Sequence, residues 1–240
     1  MSIDLSRGPP ALSRAALAVA VALVAGCAAA PSRDDPFEPM NRALYEFHDT
    51  VDTAVVKPVA QDYIDVVPEL IRTGVSNVFN NIEDLISAVN DLLQGKLDKL
   101  DNDLARVLLN TAFGVGGIFD LASMVGLERG NEDFGQTFGA WGLPQGPYLF
   151  VPFFGPTTVR DGSGTLVRIM VGPVGYIGEV PLRNSLYGLG AVDIRAQALS
   201  AGAIVDTAAL DRYLFIRNAY LQRRRYLLYD GKPPPEPEEP

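Results

Sequence analysis

From Pro39 onward the chain sets apolar against polar positions with the period of a helix. Met40, Leu44, Phe47, Val51 and Val55 recur at steps of three and four, which predicts an amphipathic helix with proline in its first turn, closed by Pro58. An extended stretch, VAQDYIDVV, follows, and Pro68 opens a second helix carrying Leu70, Ile71, Val75, Val78 and Phe79. A third has the strongest stripe, Ile82, Leu85, Ile86, Val89, Leu92 and Leu93, and ends near Gly95. Leu97, Leu100, Leu104, Val107 and Leu108 begin a fourth.

Beyond it the pattern changes. VLLNTAFGVGGIFDLASMVGL, residues 107–127, carries one charge, Asp120. It is long enough for a membrane span, but Gly114, Gly116 and Gly117 would each weaken a helix by about 1 kcal/mol. Two shorter apolar helices broken at the glycines fit better, either as a buried core pair or as a lipid-contacting hairpin. Residues 134–162, FGQTFGAWGLPQGPYLFVPFFGPTTVRDG, read as a loop dense in Gly, Pro and aromatics around the sole tryptophan, Trp141. Such rings form an ordinary core cluster or sit at a membrane interface. A helix can start at Pro156, clearest in GTLVRIMVGP, and two more run from about Glu179 to Ala201 and from Asp206 to Leu228. Strand-like alternation is scarce, so the fold class is all-α, mainly helical.

The N-terminus carries a different signal. Arg7 and Arg14 precede an uncharged run, Ala15–Gly26, which leads to Cys27, the one cysteine of the chain. A basic leader, a short apolar segment and small residues make a secretory signal peptide. Val24-Ala25-Gly26-Cys27 resembles a bacterial lipobox, with residues 1–26 as the leader and acyl chains on Cys27. Several chains make such an anchor stable. Ala28, where Asp would signal inner-membrane retention, points to the outer membrane. Residues 27–36 are then a lipidated tether, 37–231 the folded domain, and 232–240, KPPPEPEEP to the end, a disordered tail.

Composition sharpens this. The net charge is −9, and it becomes −10 once the leader's two arginines and Asp4 are removed, which opposes nucleic-acid binding. The chain is 48% hydrophobic and 20% charged, an apolar balance that hints at lipid contact. With one cysteine no internal disulfide forms.

Catalytic chemistry is not indicated. His48, the single histidine, lies beside Asp49 on the first helix and reads as a surface or partly satisfied residue. No spacing suits a metal centre, Ser163 lies in Gly-Ser-Gly rather than G-x-S-x-G, and no phosphate-binding glycine loop is present. No cofactor, no metal and no enzyme activity are expected. Arg223, Arg224 and Arg225 read either as a solvated helix end or as a contact for phosphate headgroups.

Three segments in order behind the lipobox, DPFEPMNRALYEFHD, the aromatic stretch 134–162 and YLFIRNAYLQRRRYLLYDG, resemble the MlaA (VacJ) lipoprotein family from about Asp35 to Gly231. Asp211-Arg212-Tyr213 departs from the relatives, which often place proline between Asp and Tyr, and leaves the start of the last helix open. The resemblance implies a ring-like helical bundle around an amphipathic channel in the outer membrane, facing the periplasm. It implies trimeric porins as partners and phospholipid as the transported ligand. Lipid strayed into the outer leaflet would pass to a soluble MlaC-like periplasmic carrier. Exposing two acyl tails to water costs on the order of 20 kcal/mol, so such a path must cover them. Candidate walls are Phe113, Gly114, Gly116, Gly117, Ile118 and Phe119 in the first segment, and Trp141, Tyr148, Phe150, Phe153 and Phe154 in the second. Met40 and Asn41 match a family position implied in gating. Nothing in the chain binds ATP, so direction would depend on the carrier. The alternatives are a structural lipoprotein that supports a porin without moving lipid, a lipid-acting hydrolase and a soluble periplasmic binder.

Overall fold

The computed structural model of the chain describes residues 35–235; Cys27, the leader and residues 236–240 lie outside it. The first helix does not close at Pro58. Helix α1 (Glu38–Val51) continues through a π-helical turn (Asp52–Val56) into α2 (Lys57–Val66), so the stretch expected to be extended is helical. A wider turn spares Pro58 the clash its ring makes with the carbonyl four residues back in a regular helix. Asp52, at the start of that turn, accepts two hydrogen bonds of 2.7 Å from Arg195.

The predicted second and third helices are one, α3 (Glu69–Gln94), begun after Pro68 and stopped by Gly95 at φ 73°. Next come α4 (Leu97–Ala112), the short α5 (Leu121–Met124) and α6 (Phe134–Ala140). The stretch expected as loop thus contains α6 and a hairpin of β1 (Tyr148–Val151) and β2 (Gly155–Thr158), paired antiparallel with Tyr148 opposite Thr158. Helix α7 (Val159–Val171), a 3₁₀ turn (Pro173–Tyr176) and α8 (Val180–Ala208) follow, then α9 (Arg212–Leu228). Asp211 caps α9 by accepting the Leu214 N–H, which sets a start later than the expected Asp206.

Tyr148, Phe150 and Tyr213 form the buried apolar cluster, with Leu44, Tyr45 and Leu221 against it. Asn41 ties α1 to β1: its amide donates to the Tyr148 carbonyl and its oxygen accepts the Phe150 N–H. Asp35, expected in the tether, is fully buried and accepts from Asn41, Tyr213 and Arg217, so it is packed as part of the folded domain. The arginine run is split by burial. Arg224 grips Asp161 (2.9 Å) and Asp133 and fastens α9 to the N-terminal ends of α6 and α7, which removes it as a headgroup contact. Arg223 stays exposed, and Arg225 reaches the Pro234 carbonyl.

Helices α3 and α4 pack the opposite way from a water-soluble pair. On α3 the buried positions include Asn81, Asp84, Ser87, Asn90 and Asp91, and on α4 they are Asp103, Arg106 and Asn110. The apolar stripe Leu85, Val89, Leu92 and Leu93 is exposed, as are Leu97, Leu104 and Leu108. Asp91 and Asp103 meet in this polar seam, and both oxygens of Asp91 lack a donor. Burial, then the Asp103 charge, pushes the Asp91 carboxyl up to about 7, so it holds a proton at pH values where a solvated carboxyl has lost it.

Two outcomes follow from these pairings. Replacing Arg224 by Met leaves the buried Asp161 with Arg160 alone and takes from Asp133 its cation, and should cost about 3 kcal/mol in denaturant unfolding, whereas Arg223→Met should stay within about 0.5 kcal/mol. Between about pH 4 and about pH 7 the folded chain holds a proton on Asp91 that the unfolded chain has released, so stability falls as pH rises through that window and then levels off. Asp91→Asn should flatten that slope in unfolding midpoints measured across it.

Candidate functional site

The polar seam positions an apolar hollow. Arg106, 1% exposed, is the centre of its pairing. Its Nε donates to Asp84 Oδ2 at 3.0 Å, one terminal amine donates to the Leu127 carbonyl at 2.7 Å, and the other donates to both oxygens of Asp120 at 3.2 Å. Asp120 also accepts from Asn110 and from the Ser123 N–H and hydroxyl. Burial opposes its ionisation, yet the Ser123 and Asn110 bonds and the Arg106 charge outweigh it and hold the carboxyl down to about 2.

This grip folds residues 113–120 back against α3. Val115, Gly116 and Gly117 all have positive φ, at 55°, 69° and 95°. The Asn77 amide donates to the Ile118 carbonyl at 2.9 Å, and Asn81 donates to Thr111 at 2.9 Å. Gly74, buried in the second turn of α3, lets Ile118 approach; a Cβ there would lie 3.2 Å from Ile118 Cγ2. With its polar groups turned inward, the reversal presents Ile118 and Phe119, and α5 presents Met124, to a partly open cavity of about 1070 Å³. Leu70, Ile71 and Val78 of α3, Pro173 and Ile177 around the 3₁₀ turn, and Leu186 and Leu189 of α8 complete the lining, with Thr73, Asn77 and Asp120 as its polar members. The hollow exceeds the usual ligand-pocket range, whose upper end is roughly 1,000 Å³. Its lining suits hydrocarbon rather than a charged substrate.

Of the residues expected to form a wall, Ile118 and Phe119 line this cavity. Gly114, Gly116 and Gly117 shape the turn behind it, and Phe113 is exposed beside it. The second segment goes elsewhere. Tyr148 and Phe150 point into the buried cluster because alternate residues of β1 face inward, so they are core and not wall. Phe153 and Phe154 are exposed at the hairpin tip, where the Phe153 N–H donates to His48 Nδ1 at 3.2 Å. Trp141 is exposed and donates to the Leu93 carbonyl at 3.1 Å. Met40 and Asn41 lie at the α1–β1 junction and do not line the cavity. Leu186, Leu189 and the 3₁₀ turn carried no sequence signal that singled them out. Gly74 did carry one, since an isolated glycine inside a helical pattern marks a close approach.

The chain matches the family profile of the MlaA lipoprotein over residues 33–227. It is 33% identical to an intermembrane phospholipid transport system lipoprotein MlaA of Escherichia coli (strain K12), across 94% of this chain and 92% of that protein. The MlaA of Haemophilus influenzae is 32% identical, across 90% of each chain. A solved structure described as the structural basis for maintenance of bacterial outer membrane lipid asymmetry superposes with a TM-score of 0.72 at 32% identity. The alignment takes in 82% of this chain and 100% of that one.

The turn behind the cavity is the place to disturb it. At Gly117 an added Cβ would come 2.8 Å from Asn81 Cβ, whereas at Gly116 it would meet nothing within 4 Å. Gly117→Ala should therefore cost more than Gly116→Ala, by about 1–3 kcal/mol against about 1 kcal/mol in thermal or denaturant unfolding.

Proposed function

The chain belongs to the MlaA lipoprotein family, and on that premise we propose that it is an outer-membrane lipoprotein that removes mislocalised phospholipid from the outer leaflet and passes it to a periplasmic carrier. The observation that carries the reading is the reversed burial of α3 and α4 together with the apolar cavity they help to build. Exposed Leu, Val and Phe side chains on this scale, beside buried Asp, Asn and Arg, are unfavourable in water and favourable against hydrocarbon. No described helix is long and apolar enough to cross a membrane. The chain therefore meets lipid with helix faces, while Cys27, acylated, supplies the anchor. Acyl tails enter the cavity past Ile118 and Phe119, which spares them water at about 0.8 kcal/mol per CH₂.

The uncovered apolar surface also suits a trimeric porin as lateral support, and a soluble MlaC-like carrier takes the lipid on the periplasmic side. Met40 and Asn41 act as a gate through packing. Asn41 pins the hairpin to α1, so their loss frees β1 and the exposed Phe153 and Phe154 at its tip.

The test is outer-leaflet phospholipid, labelled with a headgroup reagent that cannot cross the membrane. Deleting the gene should raise it, and the intact protein should reverse the rise. Neither Cys27→Ala nor a cavity variant, Ile71→Glu with Leu189→Glu, should do so at equal protein level. Removing Met40 and Asn41 should raise it even with the protein present. No rise on deletion would instead favour a structural lipoprotein.

A further inference from the structure

Most buried carboxylates among the described residues face a cation. Asp52 has Arg195, Asp84 has Arg106 and Arg129, Glu132 has Lys96 and Lys99, and Asp161 has Arg160 and Arg224. Asp193 of α8 departs from that rule. It is 2% exposed and accepts from Ser76 Oγ at 2.9 Å, Tyr63 Oη at 3.3 Å and Gln197 Nε2 at 2.7 Å, all neutral donors. Among the described residues no Lys or Arg pairs with it. A buried anion with neutral donors alone leaves much of its charge uncompensated.

Asp193 borders a pocket of about 290 Å³ between α2, α3 and α8, lined also by Tyr63, Glu69, Arg72, Thr73 and Ser76. Glu69, Arg72, Thr73 and Ser76 recur at steps of three and four and share one side of α3, while Leu70, Ile71 and Val78 line the apolar cavity. Thr73 borders both hollows. Arg72 is half-buried, and its Nε donates to the Val67 carbonyl at 3.0 Å. Among the described residues its terminal amines have no partner, so the guanidinium fork is open to an anion. Burial, then the Asp193 charge, pushes the Tyr63 phenol up while Arg72 pulls it down, so both charges act on one small volume. Glu69, exposed at the rim, adds a second negative group.

We propose that this pocket binds a phosphate ester carrying a primary ammonium, the chemistry of an ethanolamine phospholipid headgroup. Asp193 takes the ammonium and Arg72 takes the phosphate in bidentate fashion. The assignment deepens the transport reading and rests on it only for the source of the ligand: a lipid lying along α3 would place its tails in the cavity and its headgroup across Thr73. A free phosphoethanolamine ester offers the same groups.

The test uses the full acylated protein in detergent, exposed to equimolar phosphatidylethanolamine and phosphatidylglycerol with identical acyl chains. Retained lipid is identified by native mass spectrometry. The expected preference for the ethanolamine lipid is about tenfold, the scale of one charge-assisted bond. Asp193→Asn should bring the ratio to parity, and Arg72→Gln should weaken retention of both lipids without changing the ratio. N-acetylated phosphatidylethanolamine offered to the unaltered protein should lose the preference, a result that does not depend on how the variants fold. Lipid retained without discrimination, and unaffected by N-acetylation, overturns the pocket and leaves transport standing. Free glycerophosphoethanolamine bound in an Asp193-dependent manner, with no lipid retained, keeps the pocket and removes the transport reading.

Discussion

A guanidinium withdrawn from water must be fully paired, and in this protein that requirement falls on Arg106. Its partners lie on α3 (Asp84), at the start of α5 (Asp120) and in the chain beyond it (Leu127). A single side chain therefore fixes how α3 meets α4 and where the glycine reversal after α4 lands. Removing any partner would leave charge stranded in a poorly solvated seam, which costs far more than the loss of an exposed ion pair. The reversal itself, where Val115, Gly116 and Gly117 take positive φ one after another, is held further by the Asn77 amide on the Ile118 carbonyl and by the Gly117 N–H on the Asn110 carbonyl. Its apolar side chains reach the cavity because its polar groups are claimed on the other side.

That seam also explains the outer surface. When Asp84, Asn90, Asp91, Asp103, Arg106 and Asn110 occupy the space between α3 and α4, Leu85, Leu92, Leu104 and Leu108 have nowhere to go but out. In water this would be a large penalty on a marginal fold. Against lipid tails the penalty disappears, and specificity comes from polar pairing inside, as it does where helices associate without a hydrophobic force between them. The surroundings and the interior are thus linked, and the family's lipid-handling role fits a chain built this way.

The far end of the molecule follows the same logic with different residues. Arg224, Asp133 and Asp161 join α9 to α6 and α7, and α6 and α7 approach so closely that a Cβ at Gly135 would come 2.6 Å from Asp161 Oδ1. Asn41 and Asp35 do comparable work for α1, β1 and α9. Beside these pairings, the buried apolar cluster of Tyr148, Phe150 and Tyr213 is small.

Much was legible along the chain. Apolar spacing marked most helices, Pro68 and Gly95 marked the two ends of α3 although its length was read as two helices, and the three family segments were read in order. Asp120 was visible as the one charge in an apolar run, though not its pairing with Arg106. Periodicity could not tell which side of a helix turns inward, because an apolar stripe suits a core and a bilayer equally. Nor could it separate Arg224 from Arg223, or Tyr148 from Phe153, whose neighbours are equally aromatic. The sequence by itself determined helix content, the glycine-broken reversal and the family, since these rest on local backbone preference and linear pattern. The direction of each helix face, the place of the cavity and the open charge of Asp193 were decided only by tertiary structure. Arg106 meets Asp84 across 22 residues, and Asp193 meets Ser76 across 117, so those pairings exist only once the helices have packed.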